Sequence, residues 1–277
     1  MTGRNLKVLT GLLLSAVVRS GAAHAFTLDG ELVQGGMVIG QALPGSAVKL
    51  NDQMVRVDDK GRFVIGFGRD HKSSARLQVR EPGQKSQSRT LNIAARTYKT
   101  QRINGLPRKM VTPPDGVIKR IRRENAEIAR VRALDTARSH FAQKWRWPSI
   151  GRISGVFGSQ RILNGKPRRP HYGIDIAAPK GADVVAPTDS VVRMAEKDLY
   201  FTGGTVMLDH GHGVTSVYSH LSALDVKPGQ QVKAGQKIGE VGSTGRSTGP
   251  HLDWRVNWFR ERLDPALLVG PMPLSPR

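Results

Sequence analysis

The sequence predicts a mainly β protein, and three observations carry that expectation. From Pro148 onward, short Val/Ile-rich runs such as Ser190-Val-Val-Arg193, Thr205-Val-Met-Leu208 and Gly213-Val-Thr-Ser-Val-Tyr218 alternate with Gly, Pro and Asp, and no long helix interrupts them. Similar runs lie between Thr27 and Tyr98. Only Gly116 to about Trp145 shows helical spacing. The expected architecture is a C-terminal antiparallel β domain, preceded by a small β-sandwich-like module and a helical linker segment.

Taken in order, residues 1–25 read as a signal peptide. Arg4 and Lys7 form a basic start, Val8 to Val18 is an apolar run too short for an ordinary span, and Ala23-His24-Ala25 offers a cleavage site. Arg19 sits awkwardly after the apolar run, so an uncleaved anchor is the alternative reading. Residues 26–98 are expected to form the accessory module, with Ala47 to Leu50, Phe63 to Phe67 and Ala75 to Val79 as strands and Pro44-Gly45, Asp58 to Gly61 and Pro82-Gly83 as turns. Residues 99–147 begin as a Pro-rich linker and continue as a basic amphipathic helix, with Val117, Ile121, Ile128, Val131 and Leu134 mostly on one stripe. That stripe is read as packing on the following domain, with binding to a membrane surface as the rival. Residues 148–270 make the candidate catalytic domain and 271–277 a tail.

Composition narrows the chemistry. There is no cysteine, which removes disulfides, thiol nucleophiles and thiolate ligands together, so any metal is held by His, Asp or Glu. The net charge of +21 becomes +18 without Arg4, Lys7 and Arg19 of the leader. Residues 26–147 carry +13 of it and residues 148–277 only +5. The basic excess therefore lies away from the candidate site, which suits tethering to anionic envelope polymers or a membrane surface. Nucleic acid is not expected as a partner, because few aromatics interleave the basic residues and no recognition motif is present.

The candidate site begins with Pro170-His171-Tyr-Gly-Ile-Asp175 and is answered by His251-Leu-Asp253. His171, Asp175 and Asp253 supply one nitrogen and two oxygens, the ligand class and number of a catalytic zinc that keeps one position open. His220, in Tyr218-Ser-His220-Leu221, and His251 remain as acid/base candidates. In a strand, His251 and Asp253 share a face. These residues together point to a metal-dependent hydrolase. His210-Gly-His212 has ligand-like spacing but sits among Asp209, Gly211 and Gly213, and reads as a turn. Asn164 and Gly165, before Lys166-Pro-Arg-Arg-Pro170, read as a loop at the groove rim, where Arg168 and Arg169 are either solvated or contacts for substrate carboxylates. Tyr218 and Trp254 read as packing residues.

The joint order of Ser154-Gly-Val-Phe-Gly158, His171-Tyr-Gly-Ile-Asp175, Tyr218-Ser-His220-Leu221 and Gly242-Ser-Thr-Gly-Arg-Ser-Thr-Gly-Pro-His251-Leu252 resembles the lysostaphin/LytM-type zinc metallopeptidases, over roughly residues 155–257. The resemblance implies a fold of duplicated-hybrid-motif type and one Zn²⁺ per chain on His171 and Asp175. It also implies His220 and His251 as catalytic histidines and peptidoglycan as substrate; with the leader, the expected location is the periplasm or cell envelope. The chain departs from the family pattern at Asp253, where a histidine is usual. A second carboxylate on the ion is expected to make the centre less positive and to acidify its water less. The alternative to catalysis is a degenerate, non-catalytic binding or amidase-activating protein.

Overall fold

The structure is a computed structural model that describes residues 26–106 and 111–273. The expected leader and the last four residues of the expected tail lie outside the described residues. The first module has two antiparallel sheets. One is built from β1 (Thr27–Asp29), β2 (Met37–Gln41) and β5 (Arg62–Gly66), in the order β1-β2-β5. The other is built from β3 (Ala47–Leu50), β4 (Gln53–Val55), β6 (Ser74–Arg80) and β7 (Gln87–Asn92), in the order β4-β3-β6-β7. In β6 the period of two is plain: Ala75, Leu77 and Val79 are buried while Ser74, Arg76 and Arg80 are exposed.

The stretch read as a linker contributes a strand, β8 (Thr100–Ile103). It pairs in parallel with β10 (Gln160–Leu163), which forms a hairpin with β11 (Lys166–Arg168). Between β10 and β11, Asn164 and Gly165 both take positive φ, 47° and 76°. This is the two-residue turn that Asn-Gly favours. Ile103, Leu106, Val111 and Leu163 close a small apolar cluster beneath it.

The helix α1 is shorter than the spacing suggested, Asp115–Arg132. It stops where the chain gains tertiary partners. Arg56 Nε donates to Asp135 Oδ1 at 2.7 Å, Ser139 Oγ to Asp58 Oδ2 at 2.8 Å, and the His212 amide to the Thr136 carbonyl at 2.9 Å. Its Ile128 and Val131 pack on Met194, Leu199, Met207 and Val217 of the main sheet. Glu124, the buried residue of the helix, accepts from Arg120 Nε at 2.6 Å and from the Tyr200 amide at 2.9 Å. Among the described residues no helix is long and apolar enough to cross a membrane.

The main sheet is antiparallel and has eight strands. They are β9 (Arg152–Gly155), β12 (Ile174–Ala177), β14 (Ser190–Leu199), β15 (Gly203–Gly211), β16 (Val214–Leu221), β18 (Gln231–Val232), β20 (Leu252–Trp258) and β21 (Glu261–Leu263). The order is β18-β14-β15-β16-β20-β12-β9, with β21 paired to β20. A smaller sheet of β13 (Asp183–Val185), β17 (Ala223–Leu224) and β19 (Lys237–Glu240) runs in the order β13-β19-β17. Leu252, Trp254, Val256 and Trp258 turn one face of β20 into a core that runs without a break into the first module. At that junction a Cβ on Gly66 would come within 2.9 Å of Trp258 Cβ and Leu263 Cδ2, so only a glycine lets β5 pack this closely. Arg96 and Asp264 add an ion pair across it at 2.8 Å.

Candidate metal and active site

The other face of the sheet carries the polar residues. Register places Asp175 of β12 opposite Asp253 of β20, and Asp253 opposite Ser219 of β16. Two carboxylates directly opposite repel one another. Each is met by a guanidinium: Arg161 Nη2 donates to Asp175 Oδ2 at 2.8 Å, and Arg255 grips both oxygens of Asp253, with Nε to Oδ1 at 2.9 Å. Arg255 lies two residues beyond Asp253 on the same strand face, so the fork closes without distorting the backbone. Val217, opposite Arg255, belongs to the apolar patch under α1, which places that helix on the face that holds the site.

His171 precedes β12 and is fixed by its backbone, whose amide donates to the Ser159 carbonyl and whose carbonyl accepts from the Gly158 amide, both at 2.8 Å. Its Nε2 lies 3.0 Å from Asp175 Oδ1. The pair is not aligned as a hydrogen bond, and neither ring nitrogen nor Asp175 Oδ1 has a hydrogen-bond partner although all three are buried. Buried polar atoms left so are rare in folded proteins. Two ligands of one tetrahedral ion at about 2.0–2.1 Å sit about 3.3 Å apart, so the close, unbonded approach has the geometry of donors aimed at a common point. One donor atom from each of His171, Asp175 and Asp253 lies within 4.8 Å of the others. The Asp253 oxygens keep a second lone pair each while Arg255 holds them. The three residues fit a divalent cation.

His220 breaks the alternation of β16. Strand periodicity sends Ser219 toward Asp253 and would send His220 to the opposite face. Instead His220 takes φ 68°, beside a register shift against β15, and its ring comes within 4.7 Å of the His251 ring. Its amide donates to the Thr202 carbonyl at 2.7 Å, which holds the kink. His220 Nδ1 contacts the Thr244 carbonyl at 2.8 Å and His251 Nδ1 the Gly249 carbonyl at 2.8 Å. A carbonyl only accepts, so both rings carry their proton on Nδ1 and present a bare Nε2. His251 Nε2 lies 3.9 Å from Asp175 Oδ1. Glycines allow the close approaches here: a Cβ on Gly203, at φ 60°, would meet Thr244 Oγ1 at 2.2 Å, and one on Gly155 would meet Asp175 Oδ2 at 2.2 Å.

Electrostatics follow from burial and counterions. Burial opposes ionisation of Asp253, but the Arg255 guanidinium outweighs it and holds the carboxyl far below the usual range. Asp175 is likewise held down against burial, by His171 and Arg161. Burial pushes His220 down to about 4.

The five residues singled out from sequence thus come together around one groove. Arg161 and Arg255 were missed. Arg255 had a legible signal, its i+2 spacing from Asp253; Arg161 had none. Counting them revises the electrostatic expectation for Asp253, since the Asp253–Arg255 pair sums to zero, as a neutral imidazole would. His210 and His212 lie elsewhere, stacked against Trp145 and Phe141 with ring centroids at 4.6 and 4.7 Å. Tyr218 and Trp254 are fully buried.

Residues 169–265 match the profile of Peptidase family M23. The crystal structure of a putative peptidase M23 from Pseudomonas aeruginosa superposes with a TM-score of 0.66 at 30% identity, covering 86% of this chain and 94% of that one. The chain belongs to peptidase family M23. Similarity within this M23 chain extends to proteins of differing titles. The DD-carboxypeptidase/endopeptidase Mpg of Neisseria meningitidis is 40% identical over 122 residues, 44% of this chain and 28% of that protein. The murein hydrolase activator NlpD of Salmonella dublin is 37% identical over 133 residues, 48% of this chain and 33% of that protein. The M23 chain spans about a third or less of these curated relatives.

Proposed function

We propose that the chain is a zinc-dependent endopeptidase that hydrolyses peptide cross-links of bacterial peptidoglycan. The observation that carries the reading is the convergence of His171, Asp175 and Asp253 with their donor atoms aimed at one point, beside two imidazoles whose Nε2 atoms are bare. His171, Asp175 and Asp253 would hold the ion. When bound, it supplies Lewis acidity toward the scissile carbonyl and toward water.

The remaining steps belong to the chain. One of His220 and His251 accepts the proton of the attacking water at its free Nε2. The other, once protonated there, stabilises the developing oxyanion or donates to the leaving amine. Their Nδ1–H bonds to the Thr244 and Gly249 carbonyls fix the tautomers that make this possible. The Arg161 and Arg255 pairs keep Asp175 and Asp253 ionised and oriented. In this reading α1 flanks the groove, the first module is an accessory unit, and the basic residues of 26–147 tether the protein to anionic envelope material outside the cytoplasm.

One observation favours a second reading, a non-catalytic wall-binding or amidase-activating protein: Arg255 engages both oxygens of a carboxylate that the ion needs. Purified protein incubated with peptidoglycan, with and without a chelator, separates the two. New amino termini that vanish with the chelator support the peptidase; none under either condition supports the activator.

A further inference from the structure

Arg132 is the last residue of α1. Its neighbour Val131 packs on Met194, Met207 and Val217, and Val217 stands opposite Arg255 in the register of β16 and β20, so the end of the helix comes down beside Arg255. A third guanidinium arrives from β21, because Arg262 pairs with Asn257, two residues further along β20. Helix, central strand and hairpin strand thus each send one arginine to the same spot, where Arg132 feels Arg262 and Arg255, and Arg262 feels Arg255. The spot lies past Arg255 in the direction of Asn257, away from the turn at His251. Arg262 also lines a cavity of about 710 Å³ between the first module and the β20–β21 hairpin, so it is reached from solvent.

Two of the three arginines have partners. Arg255 holds Asp253 with Nε and Nη2, which leaves Nη1, and Arg262 Nη1 donates to Asn257 Oδ1, which leaves Nε and Nη2. Arg132 has none: its Nε is buried without an acceptor, and its guanidinium makes no hydrogen bond or ion pair among the described residues. A helix C-terminus attracts a cation, but only weakly beside the cost of burying a charged donor unpaired. Burial, and then Arg262 and Arg255, push the Arg132 guanidinium down to about 8, and no carboxylate is among the groups that act on it. It keeps its charge at pH 7, so relief must come from an anion. One guanidinium fork is enough for a carboxylate, whereas donors arriving from a helix and two strands suit the several oxygens of a phosphate group.

We propose that Arg132, Arg255 and Arg262 form a binding site for a phosphate group, which fastens the end of α1 to the β20–β21 hairpin. The ligand is inorganic phosphate or a phosphate monoester carried by a larger molecule, since both present the same oxygens. Phosphate binding here needs neither a metal ion nor peptide hydrolysis.

The test is calorimetric titration of inorganic phosphate, and separately of glycerol 3-phosphate, into the purified full chain in a chloride buffer, paired with thermal melts. Arg132→Met should weaken phosphate binding about tenfold or more, the loss expected for a hydrogen bond to a charged group, and Arg132→Lys should recover part of it. Arg262→Met should weaken it likewise, which tests the site from a second element. Arg130→Met, on the exposed side of the same helix, should bind as the wild type does. Melts add a second sign: the wild type should rise with phosphate, while Arg132→Met, relieved of an unpaired charge, should melt above the wild type without phosphate and gain little when it is added. Circular dichroism checks that each variant is folded. Phosphate held by a metal ion would be bound equally by the wild type and Arg132→Met, so undiminished binding in that variant overturns the site, as does a wild type that neither binds phosphate nor melts higher in it. Binding of both probes assigns a carried phosphate and exclusion of glycerol 3-phosphate assigns the free ion; the site stands in either case.

Discussion

Asp253 and Arg255, two residues apart on one strand, form a fork-to-fork ion pair with Nε to Oδ1 at 2.9 Å, and the carboxylate is only 2% exposed. That pair sets the charge of the candidate metal site. Replacing Arg255 by Met leaves a buried, uncompensated carboxylate opposite Asp175, and the metal-free protein should lose about 3–5 kcal/mol. The same change removes a positive charge beside the ion, so zinc affinity should rise about tenfold. Thermal melts with and without chelator, together with a competitive zinc titration, check both signs.

Gly155 leaves room for the Asp175 side chain. In Gly155→Ala the new methyl would fall 2.2 Å from Asp175 Oδ2 and 2.7 Å from Cγ, so the carboxylate must move. Bound zinc per chain should fall well below that of the wild type. Gly116→Ala, in the first turn of α1 with open space around it, should keep full metal content and gain about 0.5–1 kcal/mol.

His171→Ala and Asp175→Ala should lose both zinc and turnover, whereas His220→Ala and His251→Ala should keep zinc and lose turnover. Metal analysis of the purified variants decides it. An emptied site in His220→Ala would mean that this ring is a ligand.

Acid stability has a separate source. His210 is fully buried, contacts Ser216 Oγ at 2.7 Å through Nε2, and is pushed down to about 4 by that burial. Its folded value lies below the unfolded value near 6.5, so its contribution is intact above pH 6.5 and is lost as pH falls toward 4. The loss is about 3 kcal/mol at full extent. His140 and His212 shift in the same direction, also from burial. Chemical denaturation across pH 4–7 should show wild-type stability falling more steeply than that of His210→Gln.

What could be read locally was read. Short β-type runs between turn residues mark β6, β15 and β16, and His171, Asp175 and Asp253, the ligand types open to a chain without cysteine, do lie close together; the rim loop expected around Asn164-Gly165 is instead a tight turn, with Lys166–Arg168 as the second strand of its hairpin. What depended on distant partners was not legible. The strand of Thr100–Ile103 exists because Gln160–Leu163 lies beside it, and nothing in its own short stretch announces a parallel pairing. The helix ends at Arg132 because Asp135, Thr136 and Ser139 find Arg56, Asp209 and Asp58. His220 reaches the groove through a left-handed backbone that strand periodicity forbids and the Thr202 carbonyl enforces. Arg161 meets Asp175 only through the hairpin rim.

Metal content and muropeptide products, measured together on one preparation, test the central claim most directly. The account predicts close to one zinc per chain and newly freed amino termini from peptidoglycan, both abolished by chelation and restored by added zinc. Cleavage that persists in chelator, or a zinc-loaded protein that releases no new termini from peptidoglycan, would contradict it.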